Sequence, residues 1–335
     1  MLLAIPMNGY PSSWHIDSIA QKGRFSRFCV NAYKLADRFF NGTDTAYVQP
    51  TGYKMNVKLR SSISSDLNEF YIDGNDNIKF CSTPTATIGF DVAYMAVALG
   101  YDININRLFG GVDRTKSRLN FDFTSARFSG RLYRTRNGYG MKLTSIGGKH
   151  DVGYFFKDVQ TSVWGIDAFY YFNSRRYSNA AASNFGKIQL KSQGSFIAGL
   201  AYQYSKMVFD FSALPDDLKS DLPESWRNRR YLADGCTFGL AGGYGFNWVP
   251  KRKFNVGAIA IIIPGLNYGY LNSANKSYSF RINYRATLSA SYNHKRWFVG
   301  IVGKADLANI YSVHSTLSNA LWTIEAKVGW RFNIR

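Results

Sequence analysis

The segment Thr323 to Arg335 switches chemistry at every residue. Ile324, Ala326, Val328, Trp330, Phe332 and Ile334 hold one parity, and Thr323, Glu325, Lys327, Gly329, Arg331, Asn333 and Arg335 hold the other. Successive side chains of a strand point to opposite faces, so a strand built from this segment is apolar on one side and ionic on the other. A wall with that division suits lipid outside and a polar lumen inside, the pattern of a transmembrane β-barrel.

The alternation recurs along the chain. Tyr278, Phe280, Ile282, Tyr284, Ala286, Leu288, Ala290 and Tyr292 oppose Ser279, Arg281, Asn283, Arg285, Thr287, Ser289 and Ser291. Ala86, Ile88, Phe90 and Val92 form one series and Met95, Val97, Leu99, Tyr101, Ile103 and Ile105 the next. The parity changes between them, which predicts a two-residue turn near Ala93-Tyr94. Further strands are expected at Tyr53 to Arg60, Leu119 to Phe123, Phe128 to Arg136, Trp164 to Phe172, Phe196 to Tyr204, Phe238 to Trp248, Phe254 to Ile262 and Trp297 to Ile301. Val163 and Phe169 break the pattern by falling on the polar side of their strand. The small residues Gly239, Ala241, Gly243 and Gly245 suit the inside of a narrow, curved wall.

These segments predict an all-β, antiparallel up-and-down barrel of about twelve strands, within a range of ten to fourteen. No apolar run approaches the roughly twenty residues of a membrane helix, which excludes an α-helical membrane protein. A soluble β-sandwich also alternates. The abundance of Tyr and Phe at strand ends favours the barrel, whose two interfaces carry aromatic girdles.

Three segments are expected. Residues 1–12 read as the tail of a signal peptide, residues 13–44 as an amphipathic helix, and residues 45–335 as the barrel. The helix has Ser12 or Ser13 as N-cap, is weakened at Gly23, and is expected to pack under the barrel, enter it as a plug, or lie on the inner leaflet.

The formal net charge of +19 would suggest nucleic acid for a soluble chain. No recognition helix or zinc module is visible, and the basic residues are spread over many strands. Within a barrel, Lys54, Lys58, Arg60, Arg281, Arg285, Lys327 and Arg331 are candidates for a basic lumen cluster, with Asp91, Asp102, Asp122, Asp167 and Glu325 as acidic partners. They make either a salt-bridged interior or an anion-favouring passage. The clusters Arg131 to Arg136, Arg175-Arg176, Arg227 to Arg230 and Lys251 to Lys253 read as loops that meet lipid phosphates.

Catalytic signals are sparse. His15, His150, His294 and His314 are scattered without metal-binding spacing, and no phosphate-binding Gly loop occurs. His150 and Asp151, in a Gly-rich loop, would be the pair to watch if the protein were a membrane-interface hydrolase. Cys29, Cys81 and Cys236 have no metal spacing; a Cys81 to Cys236 bridge is left open by the sequence. No cofactor or metal is expected.

Tyr170 to Ser178, with Asn173-Ser174-Arg175-Arg176-Tyr177-Ser178, then Ala180-Ala181-Ala182, then Lys191 to Gly199, resembles the central block of an uncharacterised outer-membrane barrel family from Bacteroides-type bacteria, domain of unknown function 4421. Ile88-Gly89-Phe90, the step from Phe209-Asp210 to Leu214-Pro215, and Gly243 to Trp248 resemble it too. The resemblance spans roughly Tyr47 to Arg335 and implies an outer-membrane barrel behind a helix, with no assigned activity. Within its block, Arg175, Arg176 and Tyr177 are a candidate loop contact, either folding the loop on itself or meeting a ligand.

The expected function is therefore non-enzymatic: a narrow or plugged barrel for small anionic or polar solutes in a Gram-negative outer membrane. An envelope scaffold is the alternative, and a lipid-modifying or hydrolytic enzyme ranks below both. Partners would be membrane lipid, including lipopolysaccharide phosphates, a small anion, or an envelope protein. Short turns are expected to be periplasmic, and the connections Thr135 to Gln160, Asn173 to Gln193 and Ser212 to Arg230 extracellular.

Overall fold

The structure, a computed structural model, describes residues 23–72, 76–94, 97–106, 117–137, 140–147, 149–157, 159–271, 275–311 and 315–333. The signal-like segment, the first part of the expected helix, His15, Met95, His314, Ile334 and Arg335 lie outside them. Helix α1, Arg24–Asn41, begins directly after Gly23. It is followed by the short strand β1 (Val48–Pro50) and then by the barrel.

Twelve antiparallel strands form the wall: β2 (Met55–Ile72), β4 (Thr85–Tyr94), β5 (Val97–Asn104), β6 (Ser117–Thr124), β7 (Phe128–Asn137), β10 (Val159–Tyr171), β12 (Gln193–Asp210), β13 (Arg230–Trp248), β14 (Phe254–Leu271), β15 (Ser277–Asn293), β16 (Trp297–Tyr311) and β17 (Ser315–Phe332). Each pairs with its neighbour in this order, and β17 pairs with β2 from Ser315↔Ile72 to Phe332↔Met55. Closure removes the sheet edge, so every wall strand has a partner on both sides, as hydrocarbon requires. All twelve strands coincide with expected segments, eleven through their alternation and β7 with the ill-defined segment Phe128 to Arg136.

The parity of each strand decides its faces. Leu59, Ile63, Ile88, Phe90, Leu99, Ile166, Leu200, Leu240, Leu288, Ile301, Ile324 and Val328 are exposed on the outside, while Thr323, Glu325, Lys327 and Arg331 are buried on the inside. Aromatic rings mark both rims of this band. At one rim Tyr292 packs on Trp297 and Phe254, with Trp330 beside them in register. At the other, Tyr268 packs on Tyr278 and Phe280 on Tyr311.

Three further strands continue the sheet beyond the wall. β3 (Asp76–Cys81) pairs with the last turn of β2, β8 (Met141–Ile146) pairs with β3, and β9 (Lys149–Phe156) pairs with β8. The connection Thr135 to Gln160 is therefore a hairpin rather than a loop, and His150 and Asp151 lie on β9, not in a turn. Its inner face joins a core that roofs the barrel. Phe70, Phe80, Phe156, Phe209, Phe211, Trp226 and Tyr231 are all buried there, with Phe70 edge-on to Phe209 at 4.8 Å and Phe80 stacked on Phe156 at 5.6 Å.

Two expectations are corrected. Tyr94 pairs with Val97 and Ala93 with Ala98, so Ala93-Tyr94 belongs to β4 and is not the turn. The connection Asn173 to Gln193 leaves the end of β10 and enters the start of β12, at the rim where β17 ends and β2 begins. It is thus opposite to Thr135–Gln160 and Ser212–Arg230, not beside them. We call its end the near rim and the roofed end the far rim. Cys81 and Cys236 are free thiols, which leaves the suggested bridge unformed.

In this topology an epitope inserted beside Asp217 will be reached by antibody on intact cells, and one inserted beside Lys251 only after permeabilisation. Equal labelling of both without permeabilisation would contradict the arrangement.

Candidate functional site

The interior of the barrel concentrates charge on inward parity, and it is built row by row across the strands. Register sets Lys327, Arg60, Gly89 and Asp102 side by side on β17, β2, β4 and β5. Gly89 has no side chain to fill the gap, so Arg60 reaches over β4 to Asp102 at 2.7 Å and also meets Asp91 at 3.3 Å. A Cβ at Gly89 would run into the Asp102 carboxylate, and one at Gly100 into that of Asp91. The next row places Lys58 opposite Asp91.

The pattern continues around the wall. Arg131 pairs with Asp122 at 3.1 Å, and Glu325 holds both Lys304 at 3.0 Å and Lys327 at 2.8 Å. Arg285 bonds Asp306 on the adjacent strand and, across the lumen, Asp167 on β10, each at 2.8 Å. These crossing contacts strap the interior. Arg281 also crosses, from β15 to β12, where its Nη1 donates to Ser205 Oγ at 3.1 Å; its Nε donates to Asn283 at 2.9 Å. Unlike the others, it has no carboxylate in ion-pair contact among the described residues.

The near rim is stoppered by residues 172–192. Ser178 caps helix α2 (Asn179–Ser183) by accepting from Ala181 N, and three alanines make the helix slender enough to sit inside the wall. Phe185 follows at a φ of +59° and turns the chain into β11 (Lys187–Gln189), which pairs with β1. Gly245 faces the Tyr177 ring, Gly257 faces Ala182 and Gly300 faces Phe185. The small inward residues of these strands thus make room for the stopper as well as for curvature. Burial holds the Tyr177 phenol well above its ordinary pKa, so the ring enters as a neutral anchor among Phe169, Tyr171 and Ile197.

Wall side chains then bond the stopper's backbone. Asn247 donates to Ser178 O at 2.9 Å, Asn293 to Lys187 O at 3.0 Å, and Arg331 to Phe185 O while its guanidinium lies over the Phe298 ring. Gln189 closes the loop on itself, accepting from Ser178 N at 3.0 Å and donating to Arg176 O at 2.6 Å.

Two cavities remain between stopper and roof. One, of about 150 Å³, lies against the ion-pair belt, lined by Lys58, Arg60, Asp91, Asp102, Glu325 and Lys327. The other, of about 140 Å³, lies under the roof, lined by Arg281, Tyr133, Gln203, Asn283, Val163 and Met207 among others.

Of the residues singled out by sequence, Lys58, Arg60, Arg285, Lys327, Asp91, Asp102, Asp122, Asp167 and Glu325 meet in this belt. Arg331 serves the stopper, and Arg281 stands apart nearer the roof. Lys54 precedes β2 at the near rim, where its backbone N–H bonds Asn333. Of the loop trio, Tyr177 is buried in the stopper and Arg176 lies over Tyr47; they are at the near rim. The sequence pattern does not single out Lys304 or Asp306, although each sits on inward parity. Arg131 was assigned to a loop cluster; β7 instead turns it inward and Arg134 and Arg136 outward.

A closed twelve-stranded wall, apolar outside and ionic inside, girdled by aromatics at both rims, defines a transmembrane β-barrel of the outer-membrane type. The chain belongs to the family described as Domain of unknown function (DUF4421), whose model matches residues 42–332. No curated protein matches the sequence. Among solved structures it is similar to the outer membrane protease OmpT from Escherichia coli, with 8% identity, coverage of 83% of this chain and 97% of that one, and a TM-score of 0.35. It is also similar to the Pseudomonas putida toluene transporter TodX, at 6% identity, coverage of 88% and 95%, and TM-score 0.30. A third is OprG from Pseudomonas aeruginosa, at 12% identity, coverage of 85% and 100%, and TM-score 0.27.

Replacing Glu325 by Gln removes the carboxylate that Lys304 and Lys327 share and leaves buried positive charge behind. The expected loss is roughly 3 to 5 kcal/mol, read as a lower temperature at which the detergent-solubilised protein loses its fast-migrating folded form. An unchanged transition would show that the belt does not hold the wall.

Proposed function

We propose that the chain lies in the outer membrane of a Gram-negative bacterium as a stoppered barrel that binds small polar or anionic solutes in its lumen. Solute enters and leaves at the near rim, which faces the periplasm, when residues 172–192 move. The observation that carries this reading is a polar chamber kept open between two closures made by the chain itself. A filled interior would give a scaffold; a standing pore would lack the stopper.

The pairing of belt cations with carboxylates speaks against steady anion flow, because an ion entering there must compete with carboxylates already seated on Arg60, Arg285 and Lys327. The same pairing is the one feature that favours the envelope-scaffold alternative. The reading is one of binding and passage, not catalysis. Outside the wall, the exposed Arg134 and Arg136 approach the far rim and would meet lipopolysaccharide phosphates. Lys251, Arg252, Lys253, Lys295 and Arg296 ring the near rim, where phospholipid phosphates lie.

Planar-bilayer recording tests the proposal. Refolded wild-type protein is expected to be silent or to open rarely, and a variant in which a four-residue Gly-Ser linker replaces residues 175–191 to conduct steadily. A loop-replaced variant that folds and stays silent would remove the gating reading and favour the scaffold.

A further inference from the structure

The roof-side cavity has a chemistry of its own. Its charged lining comprises Arg131, Arg281 and Arg285 against Asp66 and Asp306. Arg131 is engaged with Asp122, and Arg285 with Asp167 and Asp306. Asp66 lines the same space without contacting Arg281. Among the described residues, the guanidinium of this lining that contacts no carboxylate is that of Arg281.

That side chain is 2% exposed, and among the described residues it bonds two neutral groups, Asn283 and Ser205. A buried cation without a counter-charge is costly, and chains rarely keep one without a use. Arginine's planar fork has donors beyond the two in use here, in the geometry that takes a carboxylate. The rest of the lining is mixed. Tyr133, Gln203 and Asn319 supply neutral polar groups, while Val163 and Met207 reach down from the roof core to offer an apolar surface. Val163 is one of the residues that breaks the alternation of its strand, and this cavity is where it points.

We infer that this cavity is a binding site for a small monocarboxylate, with the carboxylate on Arg281 and a short apolar body against Val163 and Met207. It rests on the reading of the lumen as a binding chamber and names the ligand class. A cavity near 150 Å³ accepts a molecule the size of benzene, so the 140 Å³ here sets the ligand at roughly that size.

Titration calorimetry on the folded, detergent-solubilised protein tests this with benzoate, its neutral isostere benzamide, and acetate. Benzoate is expected to bind at least about tenfold more tightly than benzamide, since a hydrogen-bonded charge is what separates them. Acetate, lacking the ring, binds more weakly than benzoate. Arg281→Gln and Arg281→Met should each lose benzoate affinity by about tenfold or more and leave benzamide within about twofold. Both variants should fold, and Arg281→Met should melt no lower than wild type, because it removes a charge that no carboxylate compensates. Benzoate binding that survives both substitutions overturns the assignment to Arg281 while leaving lumenal binding intact. Failure of all three probes to bind wild type overturns the binding chamber itself. Equal affinity for benzoate and benzamide overturns the carboxylate class alone.

Discussion

Everything in this molecule follows from the impossibility of leaving backbone N–H and C=O groups unpaired in hydrocarbon. The pairing of β17 with β2 meets that demand by closing the sheet, and closure divides every strand into a lipid side and a lumen side. The lipid side is solved by apolar side chains with aromatic rims. The lumen side is harder, because twelve strands enclose more space than small side chains fill. This chain fills it in three different ways along the barrel axis: aromatic packing at the far rim, ion pairs in the middle, and a returning segment of its own chain at the near rim.

The middle solution depends on glycine as much as on charge. An arginine on β2 could not meet an aspartate two strands away if the intervening residue carried a side chain, and Gly89 is the intervening residue. Pairs that span the lumen, such as Arg285 with Asp167, do what cross-strand neighbours cannot: they tie opposite walls together. Such buried pairs add little net stability relative to apolar packing, yet removing one partner is expensive. Their effect is to make the interior specific, with each carboxylate committed to a particular cation. Arg281 is the place where that commitment is withheld.

The wall was legible because its rule is local. A strand's parity can be read from a dozen residues, and every wall strand except β7 announces itself that way. The exceptions were informative as well. Val163 and Phe169 violate the alternation because β10 packs on the roof at one end and on Tyr177 at the other, so the inward side must be apolar there. The side of the connection 173–193 was misjudged on its length, although strand counting from the turn after β4 places it at the near rim. Long connections suggest the outer face, but up-and-down order is stricter than length. The stopper itself could not be foreseen. Nothing in Ala180-Ala181-Ala182 says that the segment turns inward; that depends on Gly245, Gly257 and Gly300 lying on three other strands at matching heights. Nor can a sequence show that Arg281 lacks a carboxylate, since pairing is settled by which side chains cross the lumen.

The two closures differ in kind, and on the proposed reading that difference sets the direction of exchange. The roof is an aromatic core in which Phe70 touches Phe80, Phe209, Phe211, Trp226 and Tyr231. Each such side chain contributes about 1.5 to 3 kcal/mol on burial, so opening the roof would expose many at once. The stopper has two aromatic anchors, Tyr177 and Phe185, and is otherwise held by hydrogen bonds from Asn247, Asn293 and Arg331 to its backbone. The two asparagine bonds are worth about 0.5 to 1.5 kcal/mol net apiece and the Arg331 bond about 1.5 to 3 kcal/mol, because water replaces them when they break. The wall behind the stopper already carries polar groups, Ser289, Ser291 and Asn255, which would line a wet channel once α2 withdraws. On the proposed reading, a lumen closed by aromatic packing at one end and by exchangeable hydrogen bonds at the other opens at the second, the near rim.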